Sequence, residues 1–348
     1  MSRLRPARPT RQPGTIRLGT ALIALVGAAA LAAAGCGGES VKAQSLPLDE
    51  KFDDCDAGFS MNDEVSTVEC TGGRLRILVA KPEISALHYV PFRFDPSVTG
   101  LSVRSTVRLQ KGRGYFGIGC DASTIGEGAR GYLFVLQSDL DAAAILRLDE
   151  TATLPWIAFR RLDVDPARPH RLEATCTPAA NGATALRLAV DERVVLEKVD
   201  EEGIGPFRTA LAAVIAHAPG TEVRLDALSA ARADARPLDV TPAANPAAYR
   251  YRIDAVSYDG RPIRKVSLGD EFLVVVSAPE LPRDREVPFR LCVNHGARLA
   301  CSDDRLDGGS ETLSGWTVDP GEEVDGRLRL SVHVKGREVA STSAALGG

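Results

Sequence analysis

Short segments of alternating apolar and polar residues, separated by turn residues, are the feature that most constrains how this chain folds. Between Arg74 and Val79, and again between Leu101 and Leu109, every second side chain is apolar, as in a strand with one buried face. Denser apolar runs, Tyr115–Cys120 and Tyr132–Leu136, are expected for inner strands of a sandwich. No long amphipathic helix interrupts the series. The sequence therefore predicts an all-β chain built from sandwiches.

The later strands of the first region carry a family resemblance. The segment HRLEATCTPAANGATALRLAVDERVVLEKVDEEGIGPF begins at His170, and it is followed by VRLDALS. With the opening LDEKFDD, these segments resemble the late and first strands of concanavalin-like lectins and glucanases, the laminin G-like jelly rolls. One departure is Leu225, where these proteins usually have Phe before the aspartate. The resemblance covers residues 47–229 and implies a jelly-roll β-sandwich, but a fold of this kind does not bring a function with it.

A second, smaller domain is predicted after a linker. Residues 230–248 contain three prolines and no apolar periodicity, as in a stiff interdomain linker. Residues 249–346 contain about seven further short strand candidates. A region of this length with such strands is typical of an immunoglobulin-like or fibronectin-like β-sandwich.

The N-terminal region indicates export and anchoring. Residues 1–17 contain five arginines and no acid, and residues 18–38 are uncharged, as in a secretory signal. Ala33-Ala34-Gly35 followed by Cys36 resembles the lipobox of bacterial lipoproteins. This resemblance implies a signal peptide over residues 1–35, a lipid on Cys36 and a tether over 36–46. The protein is then expected on the bacterial cell membrane, facing outside the cytoplasm; an uncleaved signal anchor and simple secretion are the alternatives.

The charge of the exported part limits its partners. The whole chain has a net charge of −4, and the signal region holds five of its arginines, so residues 36–348 carry about −9. An acidic body lacks the basic surface that nucleic-acid binding needs. The expected partners are the membrane, through the N-terminal lipid, and a carbohydrate, an envelope polymer or another protein.

The cysteine count predicts disulfides. Besides Cys36 the chain has six cysteines, and an even number in an exported protein indicates disulfide bonds. Six cysteines allow 15 pairings. We favour Cys55–Cys70, Cys120–Cys176 and Cys292–Cys301, because the last pair lies alone in its own domain.

Motifs for catalysis are missing from the sequence. There is no H-E-x-x-H, G-x-S-x-G, P-loop or calcium-loop pattern. Two G-x-G-x-x-G matches, at 112–117 and 126–131, lead into strand-like runs, not helices, so they do not predict a dinucleotide site. The acidic run from Glu197 to Glu202 lacks the E-x-D-x-x-E spacing of jelly-roll glucanases, and we interpret it as a solvated turn. The five histidines are scattered singly.

These observations favour non-catalytic recognition of carbohydrate or envelope polymer over catalysis, with no cofactor. Aromatic residues make up only 5% of the chain, and sugar-binding sites use aromatic faces. The ligand-binding candidates are Tyr89, Tyr115, Tyr132 and Trp156, on the concave sheet or in a neighbouring loop. A further hypothesis is a structural Ca²⁺ held by Asp49 and Asp226. The alternatives are a glycosidase-like hydrolase and a structural or signalling ectodomain that binds proteins.

Overall fold

Among the described residues almost every element is a β-strand, which confirms the all-β prediction. The computed structural model describes residues 15–16, 45–53, 61–62, 65–81, 87–123, 130–148, 154–235, 241–257, 262–267, 271–295, 298–317 and 326–347. The described residues contain two short 3-10 helices and no α-helix. Within those ranges, no helix is long and apolar enough to cross a membrane. The predicted lipidation site Cys36 lies outside the described residues.

The chain forms two compact units that divide mainly at residues 240 and 241. The strands up to this division are β1 (Thr15–Ile16), β2 (Leu48–Glu50), β3 (Met61–Asn62), β4 (Ser66–Cys70), β5 (Arg74–Val79), β6 (Leu87–Val98), β7 (Leu101–Lys111), β8 (Gly114–Asp121), β9 (Gly131–Gln137), β10 (Ala142–Leu148), β11 (Leu154–Arg161), β12 (His170–Pro178), β13 (Thr184–Val190), β14 (Arg193–Asp200), β15 (Phe207–Ala216) and β16 (Thr221–Arg232). The short helix η1 (Ala180–Gly182) lies between β12 and β13.

Two sheets form the first unit, and together they make a jelly-roll sandwich. Sheet A has the strand order β11-β10-β9-β8-β15-β6, and sheet B has the order β14-β13-β12-β7-β16-β5-β4-β3 with β2 beside β16. Neighbouring strands in the centre of both sheets pair antiparallel. Neighbours such as β8 and β15 are far apart in sequence, so the sheet depends on long-range pairing.

The core of the first unit lies between sheets A and B. Alternation along each strand turns one set of side chains inward, and Phe116 and Phe134 of sheet A meet Leu172 and Leu188 of sheet B, all fully buried. A disulfide joins Cys120 of β8 to Cys176 of β12, as the favoured pairing predicts. Both cysteines are fully buried, so this bond links the two sheets through the core.

The other face of sheet A, which we call the far face, is defined by the strand register. Residues that alternate with the core positions lie on it, and hydrogen-bonded neighbours place them in rows across the sheet. The far face includes Tyr115, Gly117, Gly119 and Asp121 of β8, Leu133, Val135 and Gln137 of β9, Ala142, Ala144, Leu146 and Leu148 of β10, Trp156, Phe159 and Arg161 of β11, Thr209, Leu211, Ala213 and Ile215 of β15, and Leu87, Pro91 and Arg93 of β6.

The second unit is also a β-sandwich. Its strands are β17 (Thr241–Pro242), β18 (Arg252–Val256), β19 (Lys265–Ser267), β20 (Glu271–Ser277), β21 (Arg285–His295), β22 (Arg298–Asp307), β23 (Glu311–Thr317), β24 (Gly326–Val334) and β25 (Arg337–Gly347), with helix η2 (Pro246–Ala248) after β17. One sheet has the order β17-β21-β24-β25-β19 with β22 on β21, and β18, β20 and β23 lie side by side in the other. The predicted Cys292–Cys301 disulfide joins directly opposed residues of β21 and β22.

The predicted linker differs from the observed chain at its start. Strand β16 continues to Arg232, because Ala230 is buried in the core of the first unit. The last residues of β16 are rich in alanine and show no strong alternation of apolar and polar residues, so the sequence does not indicate that they belong to a strand.

Candidate functional site

The far face of sheet A is apolar and buried. Leu133 and Leu211 are fully buried, and Ala213 and Ile215 are 1% and 3% exposed. None of these side chains belongs to either of the two core clusters of described residues. The apolar character of this face is therefore not explained by the sandwich core that the other face of sheet A builds.

A row of aromatic rings crosses the far face. The Tyr115 ring meets the His217 ring edge-on with centroids 5.1 Å apart, and it meets the Trp156 ring at 6.4 Å. Trp156 in turn stacks on Phe159 at 5.4 Å. Tyr115 belongs to β8, whereas Trp156 and Phe159 belong to β11. The ring contacts therefore connect two strands that are not neighbours in the sheet. Offset and edge-on contacts of this kind hold aromatic rings in fixed orientations.

A histidine–aspartate pair lies at the Tyr115 end of the row. His217 Nδ1 contacts Asp139 Oδ2 at 2.5 Å, and Asp139 is 5% exposed in its side chain. Arg113 Nε is 4.0 Å from the second oxygen of Asp139, and its carbonyl accepts a hydrogen bond from the His217 amide. A carboxylate at Nδ1 favours the tautomer in which that nitrogen donates, which leaves Nε2 as the ring nitrogen that can bind a ligand. The His217 side chain is 23% exposed.

Two polar atoms of the far face are buried without a hydrogen-bond partner. They are Gln137 Oε1 and Trp156 Nε1, on side chains that are 2% and 4% exposed. Gln137 lies directly opposite Tyr115 in the register of β8 and β9. An unpaired buried polar atom is costly, so this acceptor and this donor are each suited to a ligand hydroxyl group.

The opposite end of the far face is closed by a loop contact. Asp121 Oδ1 accepts hydrogen bonds from the backbone amides of Ser123 and Arg130, and its Oδ2 accepts one from the Ser123 hydroxyl. Asp121 therefore holds the two ends of the β8–β9 connection together. It lies six residues along β8 from Tyr115, about 20 Å at the usual strand rise.

The structure brings together only part of the predicted ligand set. Tyr115 and Trp156 meet on the far face, but they are 2% and 4% exposed. Trp156 lies in strand β11, so the expectation of an exposed loop position is wrong. Tyr89 pairs with Ala213 in the register of β6 and β15, and its side chain lies outside the described residues.

The structure places the ligand candidate Tyr132 in the core of the first unit. It is fully buried in the core between the sheets, and its hydroxyl donates a hydrogen bond to Asp200 Oδ2 at 2.7 Å. Burial, reinforced by the Asp200 carboxylate, raises the pKa of the Tyr132 phenol. Arg147 Nη1 lies 3.4 Å from the same carboxylate. Asp200 is 8% exposed, so this member of the acidic run is a buried anchor, whereas Glu201 and Glu202 after it are exposed in a turn, as predicted.

The structure does not assemble the predicted calcium pair. The Asp226 carboxylate forms an ion pair with Arg74 Nε at 2.8 Å, and Asp49 is an exposed residue of β2. Among the described residues, no three His, Cys, Asp or Glu side chains come close enough to hold a metal ion. Asp49 is thus a surface residue of its strand, and Asp226 is a partner in one ion pair.

Of the third predicted disulfide, only Cys70 lies among the described residues. Cys70 is disulfide-bonded, and its predicted partner Cys55 lies outside the described residues. No local sequence pattern indicates the pair formed by Asp139 and His217, because the two residues are 78 positions apart. The only available signal was that each ends or follows an apolar strand.

No protein-family model matches the chain, and no curated protein matches it. Solved structures do. A metal-free Emp46p carbohydrate recognition domain is 17% identical over 48% of this chain and 85% of its own, with a TM-score of 0.35. The carbohydrate binding module CBM66 from Bacillus subtilis is 13% identical over 49% and 89%, with a TM-score of 0.32. A β-1,3-1,4-glucanase (lichenase) from a mouse hindgut metagenome is 11% identical over 53% and 99%, with a TM-score of 0.39. We draw no argument about function from similarities this low.

Proposed function

We propose that this chain is a lipid-anchored binding protein on the outer side of the bacterial cell membrane, and that the Tyr115 end of the far face, where the His217 side chain is 23% exposed, recognises carbohydrate without catalysis. The observation that carries the proposal is the group at the Tyr115 end of the far face. There, the Tyr115 ring contacts the Trp156 ring, and Tyr115 lies opposite Gln137 in the register of β8 and β9; Gln137 Oε1 and Trp156 Nε1 have no hydrogen-bond partner. Aromatic faces with a few fixed donors and acceptors are what a sugar ring with its hydroxyls requires.

The positions of the far-face carboxylates support a non-catalytic role. A glycosidase needs two carboxyl groups about 5–9.5 Å apart across the scissile bond. Of the described side chains, Asp121 lies at one end of the far face and Asp139 beyond the other, about 20 Å or more apart along the strand direction. Both carboxylates are also occupied, by backbone amides at Asp121 and by His217 at Asp139.

A binding screen of the full chain against envelope polysaccharides tests the recognition role. We expect saturable binding without new reducing ends. Trp156→Phe keeps an aromatic ring and removes the Nε1 donor, so it should weaken binding by up to about tenfold, the worth of one hydrogen bond. Trp316→Phe, in the second unit, is the matched control and should change nothing. Released sugars would contradict the non-catalytic role, and a complete lack of binding would contradict the proposal.

The anchor is tested by Cys36→Ala in the exporting bacterium. The lipobox resemblance leads us to expect that the variant leaves the membrane fraction or stays unprocessed. Mass spectrometry of the N-terminal peptide is the readout. If a mature acylated species still forms, Cys36 does not carry the lipid.

A further inference from the structure

The Cys292–Cys301 disulfide lies on the outer face of a sheet of the second unit. Leu291 and Val293 of β21 belong to the core of this unit, so the side chain of Cys292 between them points to the other face. A groove of about 890 Å³ opens on that face, and both cysteines line it. The disulfide is therefore part of the surface of the sandwich and not of its core.

The two cysteines of this disulfide differ in their access to solvent. Cys301 is exposed, whereas Cys292 is only 5% exposed. Strand β22, which carries Cys301, pairs only with β21 among the described residues. Cys292 has β24 on its other side, with Ser331 directly opposite. An incoming group therefore reaches the disulfide from the side of Cys301.

This difference decides which sulfur a thiol can attack. A thiolate breaks a disulfide by attacking one sulfur in line with the S–S bond, and the other sulfur leaves. Because the disulfide joins directly opposed residues of two neighbouring strands, the line beyond Cys301 leads over β22 to the edge of the sheet. The line beyond Cys292 leads over Ser331 of β24. Cys301 is thus the accessible sulfur, and Cys292 is the leaving group.

A hydroxyl group lies beside the leaving sulfur. Directly opposed residues of antiparallel strands have Cβ atoms about 5 Å apart, so the Ser331 side chain is next to that of Cys292. Ser331 is 7% exposed, and its Oγ is 3.0 Å from His333 Nε2. When His333 carries a proton on Nε2, it donates to Ser331 Oγ, and the hydroxyl can donate to a thiolate on Cys292. Such a hydrogen bond stabilises the thiolate as it leaves.

We propose that the Cys292–Cys301 disulfide accepts an electron pair from dithiols that enter this groove, an activity separate from the carbohydrate recognition proposed above. One thiolate of the dithiol bonds to Cys301 Sγ, the bond between the two cysteines breaks, and its electron pair leaves on Cys292 Sγ. The second thiolate of the dithiol then attacks the dithiol sulfur of this mixed disulfide and releases Cys301. The dithiol becomes a disulfide, and its two protons pass to the two cysteine thiolates.

The fold is suited to both states of the disulfide. Strands β21 and β22 pair on both sides of the cysteines, from Glu286 opposite Asp307 to His295 opposite Arg298. The disulfide spans only 9 residues, so it restricts the unfolded chain less than a long-range bond does. We therefore expect the second unit to stay folded after reduction, and a circular dichroism spectrum of the reduced protein checks this.

Trapping with a monothiol tests which sulfur is attacked. The oxidised full chain is mixed briefly with reduced glutathione, which has no second thiol to complete the exchange, and is then quenched with acid and N-ethylmaleimide. Peptide mass spectrometry should find glutathione on Cys301 and maleimide on Cys292. Absence of an adduct, or glutathione on Cys292 as often as on Cys301, would overturn the proposal.

Reduction by a dithiol is compared with that of the buried disulfide in the same chain. Dithiothreitol should open Cys292–Cys301 at least about tenfold faster than Cys120–Cys176, because exchange depends on access. One equivalent of oxidised dithiothreitol should form per chain while the buried disulfide stays intact. Equal rates at the two disulfides would overturn the proposal.

A matched pair of serine variants tests the leaving group. Ser331→Ala removes the hydroxyl beside Cys292 and should slow the exchange about fivefold, the worth of one hydrogen bond. Ser343→Ala, at an exposed position of β25, should leave the rate unchanged. Melting curves confirm that both variants are folded. An unchanged rate in folded Ser331→Ala would overturn the assignment of Cys292 as the leaving sulfur.

Discussion

The disulfide between Cys120 and Cys176 should contribute strongly to the stability of the first unit. It joins sheet A to sheet B across a sequence separation of 56 residues. Closing a loop of this length removes entropy from the unfolded chain worth about 4 kcal/mol. Because both cysteines are fully buried, the double variant Cys120→Ala/Cys176→Ala should lose at least this amount.

Urea unfolding followed by tryptophan fluorescence measures the effect on each unit. Trp156 reports on the first unit and Trp316 on the second, so single-tryptophan backgrounds separate the two transitions. With an m-value near 2 kcal/mol/M, the first transition should move by roughly 2 M urea. The second transition should stay in place.

The second disulfide provides the control. Cys292 and Cys301 are separated by 9 residues, for which the same treatment gives about 3 kcal/mol. Cys292→Ala/Cys301→Ala should therefore move only the Trp316 transition, and by less. If removing Cys120–Cys176 costs less than about 1 kcal/mol in a folded protein, the loop-entropy reasoning is refuted.

Two further predictions concern buried and paired polar groups. Tyr132→Phe removes the hydrogen bond to Asp200 and should cost about 1–3 kcal/mol in the urea unfolding of the first unit; an unchanged midpoint would show that this bond is not needed. Hydrogen bonds from Arg76, aided by Arg224, lower the pKa of the Glu222 carboxyl. Because the pKa of Glu222 in the folded protein is lower than its ordinary value of 4.5, the ionised carboxylate stabilises the folded state above pH 4.5. This stabilisation is lost as the pH falls below that value. In Glu222→Gln, the free energy of unfolding should therefore fall less steeply as the pH is lowered into the acid range. Equal slopes in the variant and the unmodified protein would contradict this.

The sequence predicted the strands but not which face each residue occupies. Strands with one solvent-exposed face, such as β5 and β7, alternate clearly between apolar and polar residues, so the sequence predicts which of their side chains point into the core. Strand β9 is buried along its whole length, so Tyr132 and Leu133 give no periodic signal that tells core from far face. The sequence alone therefore does not show that the Tyr132 side chain belongs to the core.

The candidate site combines residues that only the tertiary fold brings together. Tyr115 and Trp156 were singled out as aromatic residues, yet their contact depends on strands β8 and β11 lying in one sheet. Asp139 and His217 carry no local pattern, because they sit at the ends of strands that pair through β8. In the sequence, Gln137 is an ordinary polar residue at the end of a strand. Only the structure, in which its side-chain oxygen is buried without a hydrogen-bond partner, identifies it as a candidate ligand-binding residue.

The central claim is that ligand binds on the far face of sheet A, and Trp156 emission tests it most directly. The Trp316→Phe chain is titrated with the envelope saccharides that bind it, while calorimetry measures the same equilibrium. We expect a saturable change in Trp156 emission with the same affinity by both methods, weakened by Asp139→Asn because His217 loses its orienting carboxylate. Saturable heat with unchanged Trp156 emission would place the ligand elsewhere and contradict the account.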